Sequence, residues 1–326
     1  MKVLVTGSAG YIGSVLCREL LRRGHSVIGV DNLHWGQPAQ PIRIGGGSPP
    51  RILEHYRIDA RRIEDLKRWV RKCDVIIPLA AIVGAPACDA NPVLAERVNF
   101  WAVSNLMEVL SPHHAVIIPN TNSGYGTRSG DIFCTEETPL EPVSLYGRTK
   151  ADAEKVVLQR GNSVSLRLAT VFGPSPRMRF DLLVNTMVLE AMLSGKITVF
   201  GPQMRRNFIH VIDVAECICW LLDNWDVVPM GVYNLGNDDL NMTKLELAEA
   251  VAGYVWPLHY DNRVVIGQGE DPDKRDYIVS NEKLRTAGFQ ACRGLGSGVP
   301  EIIDKVLKMK AEYGDKLLGP GWWRNA

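Results

Sequence analysis

No apolar run in the chain approaches the roughly 18 residues that a membrane-spanning helix needs, and none of its segments is of low complexity or internally repeated. The opening MKVLVTG is too short and too broken by glycine to read as a signal peptide. Neither export nor membrane insertion is expected, and the cytoplasm is the expected compartment. An excess of one charge is also missing: 37 Lys and Arg stand against 36 Asp and Glu, so nothing calls for a nucleic-acid or anionic-membrane partner. A disulfide framework is missing as well, because the seven cysteines are odd in number and mostly set among apolar neighbours, which suits a reducing compartment. Cys217 and Cys219 fall inside the helical pattern DVAECICWLLDNW as packing residues. With no second ligand pair at suitable spacing, no metal is expected.

What is present is length and a regular rhythm. With 326 residues, 46% of them hydrophobic, the chain can fill a large core and two lobes. Through the first half, short apolar strands (KVLVT, HSVIGVD, HYRID, DVIIPLA, HAVIIPN) alternate with amphipathic segments such as SVLCRELLRR and PVLAERVNFWAVSNLMEVL. Strands apolar on both faces and separated by helices predict an α/β fold, a doubly wound parallel sheet of Rossmann type with helices on both faces. After SVSLRLA the rhythm breaks into loops rich in Gly, Pro and Arg. This predicts a nucleotide-binding domain over 1–170 with returning pieces near 205–236, and a smaller interleaved lobe from 171–204 and 237–326. The segment 35–50, WGQPAQPIRIGGGSPP, is the most loop-like stretch and reads equally as a flap or a surface insertion.

Between the first strand and first helix stands Gly7-Ser8-Ala9-Gly10-Tyr11-Ile12-Gly13. Glycines in such a turn permit a tight reversal, close approach of a pyrophosphate to the backbone, and close helix–sheet packing. The helix start then offers free N–H groups and a positive dipole end. Asp31, 18 residues after Gly13 at the end of the second strand, can accept from ribose hydroxyls and would repel a 2′-phosphate, which favours NAD over NADP. Asp59 is placed to meet the adenine, or else to cap a helix.

Tyr146-Gly147-Arg148-Thr149-Lys150 holds Tyr-x-x-x-Lys at the start of a helical stretch. Residues four apart share one helical face, and the ammonium then favours ionisation of the phenol, bringing it towards the range of a general base. Upstream, PNTNSGYG (119–126) crowds hydroxyls and amides at the end of a buried strand.

Taken together, TGSAGYIG, Asp31, the LAA of IIPLAA, Asn99, Thr121, YGRTK, RLATVFGP and RRNFIHVIDVA resemble the extended short-chain dehydrogenases/reductases of the nucleotide-sugar epimerase/dehydratase family, over essentially the whole chain. The resemblance implies a catalytic trio of Thr121, Tyr146 and Lys150. It implies NAD held by Gly7, Gly10, Tyr11, Ile12, Gly13, Asp31, Asn32, Asp59, Ala60, Leu79, Ala80, Ala81 and Asn99 together with Tyr146 and Lys150. It also implies a nucleotide-diphosphate sugar, GDP- or UDP-linked, met by Asn122, Ser123, Thr170, Arg177, Arg179, Arg206 and Arg275, and a homodimer formed through the helices near 92–110 and 146–160.

Departures from the family pattern sharpen the reaction. Dehydratases of the family carry acids directly after the threonine, whereas this chain has Asn122 and Ser123, so it keeps the groups for oxidation at C4 and lacks those for dehydration. Pro78 replaces the usual histidine, Thr170 the usual asparagine, and Arg275 substitutes for a second arginine. IIPLAAIVGAP, PNTNSGYG and GEDPDKRDY are similar to the branch that oxidises GDP-glycero-manno-heptose at C4. The expected activity is a nucleotide-sugar 4-dehydrogenase, with a 4-epimerase as the alternative. A 4,6-dehydratase and a non-catalytic NAD-binding sensor stand further off, since a sensor has no need to keep Thr121, Tyr146 and Lys150 together.

Overall fold

The computed structural model describes residues 1–34, 43–44, 51–128, 133–256, 263–269 and 275–314. Apart from the two-residue strand Arg43–Ile44, the expected flap or insertion at 35–50 lies outside the described residues.

Seven strands form the central sheet: β1 (Lys2–Thr6), β2 (Ser26–Asp31), β3 (Glu54–Arg57), β4 (Val75–Pro78), β5 (Ala115–Thr121), β6 (Ser163–Leu168) and β7 (Gly231–Leu235). Their spatial order is β3-β2-β1-β4-β5-β6-β7, and every neighbouring pair is parallel. The chain winds outward from β1 through β2 to β3, then crosses back to β4 and winds the other way. A crevice therefore opens where β1 and β4 diverge at their carboxyl ends, the place where open α/β sheets take ligands.

Side-chain alternation makes this sheet two-faced. Val3, Val5, Ile77, Ile117, Val164 and Leu166 point into one apolar cluster with Leu16, Cys17 and Leu20 of the helix Tyr11–Arg22 and with Ile218 and Leu221 of the helix Val211–Asp223. Leu4, Ile28, Val30, Ile76, Val116 and Ile118 point the other way, onto Leu66, Val70, Leu106, Ala153 and Val157. A strand buried on both faces has no room for the polar alternation of a half-exposed strand, which is why these segments read as continuous apolar runs. Cys217 and Cys219 are both fully buried in the first cluster, as packing residues.

The smaller part is built on a mixed sheet. Thr170–Phe172 runs parallel to Arg205–His210, which pairs antiparallel with Asn237–Thr243 across an irregularity at Asn207/Phe208. Its own apolar cluster joins Phe172, Phe180, Val184 and Val188 to Phe208, Leu247, Val251, Val299 and Ile302. The helix Leu183–Ser194 stops at Gly195 in the left-handed conformation, and Thr243 with Glu246 forms a reciprocal capping box at the start of Lys244–Val255. Among the described residues no helix is long and apolar enough to cross a membrane.

The two-faced core predicts a clear stability effect. Leu4 is fully buried between β2 and β4, so Leu4→Ala should lower the free energy of unfolding by about 2–5 kcal/mol through lost burial and the cavity left behind, measured by urea denaturation. A midpoint within error of the parent chain would refute that packing.

Candidate active site

The glycine turn lies at the β1/β4 crevice. Gly7 has φ +70°, and a Cβ there would stand 2.8 Å from the Ala80 nitrogen; at Gly13 a Cβ would stand 2.1 Å from the Gly7 carbonyl oxygen. Neither position admits a side chain, so the first turn of the helix Tyr11–Arg22 comes up against the ends of both strands. That helix has no side-chain cap and no acidic residue in its first turn, which leaves its N–H groups and positive end to an anion. The buried Ser8 hydroxyl in the same turn has no hydrogen-bond partner among the described residues. The cradle fits a dinucleotide pyrophosphate. Tyr11 turns away from it: its hydroxyl donates to the Gly173 carbonyl at 2.6 Å and accepts from the Asn185 amide, so of this residue only the backbone faces the turn. Ile12 packs against the sheet cluster beneath.

Asp31 ends β2 beside this turn, its carboxylate accepting from the Ala9 and Leu33 backbone N–H groups at 3.1 and 2.8 Å. Asn32 donates to Asp59, and Arg61 forks onto the same carboxylate, holding it down to about 2 mainly through that hydrogen bond. Asp59 is not a helix cap: the N-cap position of the helix Ile63–Val70 is Arg62, and no side chain caps it. Across the crevice, the Ala80 N–H donates to the Thr6 hydroxyl. Ala60 and Ala80 share the wall of a small cavity with Thr6 and Pro78, while Leu79 and Ala81 flank Ala80 and remain half-buried.

Asn99 occupies a π-helical turn, Arg97–Trp101, within the otherwise α-helical stretch 92–108. The extra residue of that turn brings its side chain inward. There it accepts from the Ile82 N–H at 2.8 Å and donates to the Ile82 carbonyl and the Thr149 hydroxyl. It ties the segment after β4 to the helix that bears Tyr146.

Ser144 caps that helix, Leu145–Leu158, by accepting from the Gly147 N–H. One turn separates Tyr146 from Lys150, and Thr121 ends the adjoining β5. The Thr121 hydroxyl donates to the Ser123 hydroxyl at 2.9 Å and accepts from the Ser123 N–H at 3.1 Å, and its proximity draws the Tyr146 phenol down. Burial holds the Tyr146 phenol above its usual range, opposed by Arg179, Arg275 and Thr121. Lys150 is 4% exposed and donates to the Pro119 carbonyl at 2.7 Å; burial brings its ammonium down to about 8, with Glu154 pulling the other way. A phenol among cations beside a lysine with a labile charge is chemically suited to proton transfer.

Around this trio the chain brings some of the expected substrate residues and withdraws others. Arg275 hydrogen-bonds the Ser123 hydroxyl. Arg179 pairs with Asp181, and Arg177 is half-buried two residues before it. Thr170 opens the adjacent strand, opposite Phe208. Asn122 is 1% exposed and neither amide atom has a partner among the described residues. Arg206 is the withdrawn one: it is 1% exposed, bonds to the Arg205 and Arg275 carbonyls and lies over the Tyr277 ring. It supports Arg275 from behind. Arg205, the outer member of the pair, is held by Asp276.

Residues outside the sequence reading complete the site. Glu154, 3% exposed, takes a forked ion pair from Arg167 with a closest approach of 2.8 Å, and hydrogen bonds from Asn120 and Ser165. Two signals in the sequence stood for it: an arginine inside the apolar strand SVSLRLA, and a glutamate one helical turn past Lys150.

Lys150 has a stability consequence. Because its folded pKa lies below the unfolded value near 10.4, the unfolded chain binds more protons between about pH 8 and 10, so the penalty is full below that window and is relieved as pH rises through it. Lys150→Met should therefore stabilise the ligand-free protein at pH 7 by on the order of 2 kcal/mol and flatten its stability profile between about pH 8 and 10. Thermal melts at graded pH check both; unchanged melts would refute a charged, desolvated Lys150.

This fold and site have counterparts. The family model for the NAD dependent epimerase/dehydratase family matches residues 3–236. The chain is 31% identical over 281 residues to an uncharacterised UDP-glucose epimerase of Bacillus subtilis, YtcB, covering 81% of this chain and 86% of that protein. It is 26% identical to UDP-glucuronic acid decarboxylase 1 of Arabidopsis thaliana, covering 93% of this chain and 69% of the relative. The crystal structure of Thermus thermophilus UDP-glucose 4-epimerase in complex with NAD superposes with a TM-score of 0.76 at 26% identity, over 93% of this chain and 98% of that one. These relatives are UDP-glucose epimerases and a UDP-glucuronic acid decarboxylase, not heptose dehydrogenases, so the finer resemblance drawn from the loops gains no support from them. With a glycine cradle that fits the dinucleotide and a matching model over most of its length, the chain belongs to the NAD-dependent epimerase/dehydratase family, whose enzymes use NAD to modify nucleotide sugars.

Proposed function

We propose that the protein is a nucleotide-sugar 4-epimerase, oxidising the C4 hydroxyl of a UDP-linked sugar and reducing the ketone again. The observation that carries this reading is the Thr121–Tyr146–Lys150 constellation at the crevice, with amide and hydroxyl in place of acids at 122 and 123. Bound NAD would supply a reversible hydride acceptor for C4; a ketone reduced again from the opposite face would make the protein an epimerase, and a released ketone would make it a dehydrogenase. Gly7, Gly10 and Gly13 would admit the pyrophosphate, Asp31 the ribose hydroxyls, and Asp59 with Asn32 the adenine side.

In this reading Tyr146 takes the proton of the C4 hydroxyl while Thr121 hydrogen-bonds the same oxygen. Arg179 and Arg275 favour the phenolate, and a charged Lys150, one turn along the helix, would add to them. Arg177, Arg179 and Arg275, all half-buried residues, are suited to the diphosphate, and the 171–204 and 237–326 segments would bring the sugar to the nicotinamide. Asn122 and Ser123 supply no base for C5 and no acid for a departing C6 hydroxyl, which argues against dehydration. The dehydrogenase reading, with GDP-glycero-manno-heptose as substrate, rests on loop resemblance alone; the names of the relatives favour the epimerase and a UDP sugar. We also propose a homodimer through the helix that exposes Val93 and Trp101 at 60% and 53%.

The test is NMR of the product after incubation with UDP-glucose, UDP-galactose and GDP-heptose. Interconversion of the two UDP-hexoses is expected; an accumulating 4-keto sugar with reduced nicotinamide would favour the dehydrogenase, and a 6-deoxy-4-keto product would overturn both. Tyr146→Phe should lower kcat at least about 100-fold while leaving NAD affinity within about twofold; substantial residual turnover would remove Tyr146 as the base.

A further inference from the structure

The turn that carries Thr121 and Ser123 is held at both ends by one buried ion pair. At its start, the Asn120 amide nitrogen donates to the Glu154 carboxylate at 2.8 Å and to the Lys150 carbonyl at 3.3 Å, while its oxygen accepts from the Thr121 N–H at 2.9 Å. At its end, the Tyr125 hydroxyl, on a fully buried ring, accepts from the Arg167 guanidinium at 3.0 Å and donates to Asn234 at 2.6 Å. Glu154 and Arg167 are themselves joined through a forked contact with side chains 4% and 7% exposed. Asn120, Tyr125, Glu154 and Arg167 thus close a ring from the helix of Tyr146, through β6, to both ends of the 121–125 turn.

We propose that Asn120, Tyr125, Glu154 and Arg167 are positioning residues of the reaction, a clamp that fixes the turn bearing Thr121 against the helix that bears Tyr146. The physical ground is desolvation. Out of water, the two charges have no comparable alternative partners, so separating either from its donors is far costlier than at a surface, and the ring resists displacement. A hydroxyl required to stay within hydrogen-bonding distance of a reacting oxygen gains from such a frame, because small misplacements cost rate steeply. The proposal rests on the reading of Thr121, Tyr146 and Lys150 as the reacting constellation.

The clamp acts on Tyr146 through the position of Thr121, whose hydroxyl beside the phenol favours the phenolate; Arg179 and Arg275 also face the phenol, as does Cys88 from the helix Ala85–Ala90. Asn120→Ala and Tyr125→Phe release one end of the turn each and leave those three in place. The phenolate absorbance of Tyr146, taken as the difference between each protein and its Tyr146→Phe counterpart, should then titrate higher by about half a unit or more in both variants. Ser165→Ala removes a bond to the same carboxylate but touches neither end of the turn, and should leave the titration where it was even if thermal stability falls. Coincident titrations in Asn120→Ala, Tyr125→Phe and the parent chain would overturn the clamp, as would an equal shift in Ser165→Ala. Because the titration needs no substrate, it decides the clamp even where the parent chain fails to epimerise, an outcome that speaks only against the proposed function. With a turned-over sugar, both clamp variants should lose about tenfold in kcat with KM kept within about twofold, whereas a change in KM alone would place the residues in substrate binding and overturn the proposal.

Discussion

A carboxylate and a guanidinium almost wholly out of water anchor the working end of this molecule. Glu154 and Arg167 lie between the helix Leu145–Leu158 and β6, where each would carry a desolvation penalty of several kcal/mol if left alone. The penalty is offset by the pair's own contacts and by further partners: Asn120 and Ser165 on the acid, Tyr125 and the Glu136 carbonyl on the base. A pair of this kind adds little net stability over an apolar replacement, but it is intolerant of partial disruption. It therefore specifies position, and what it positions is the polar end of β5.

The same exclusion of water shapes the reactive groups. Burial alone pushes the Tyr146 phenol up and brings the Lys150 ammonium down, two shifts of opposite effect on charge that both penalise the ionised form. Two arginines beside the tyrosine and Glu154 one turn from the lysine oppose them. The site is thereby poised: neither group is locked into its charged state, and a proton can move at modest cost.

Much of the fold was legible because its signals are local. A strand buried on both faces must be apolar throughout, and a turn against two strand ends must be glycine, so β1, Gly7 and Gly13 could each be read from a few residues. Tyr146 and Lys150 were legible for the same reason, since helical periodicity places residues four apart on one face. Asp59 shows where this fails: as a carboxylate shortly before a helix it fits a cap, yet Arg61 and Asn32 take it and the helix starts without one. Arg206 fails differently. In RRNF nothing local says which arginine points out, and the choice is made by Asp276 holding Arg205 while Arg206 turns inward beneath Arg275.

By itself, the sequence determined the parallel sheet, the dinucleotide turn and the spacing of tyrosine and lysine, all consequences of backbone sterics and periodicity over a dozen residues or fewer. Only the tertiary structure decided how PNTNSGYG is held. Asn120 and Tyr125 meet Glu154 and Arg167 across separations of 34 and 42 residues, and such pairings follow from which strands are neighbours in the sheet. The arginine within SVSLRLA interrupts an apolar run. It is buried because a carboxylate from the adjoining helix reaches it, and that meeting exists only once β6 has been laid beside β5.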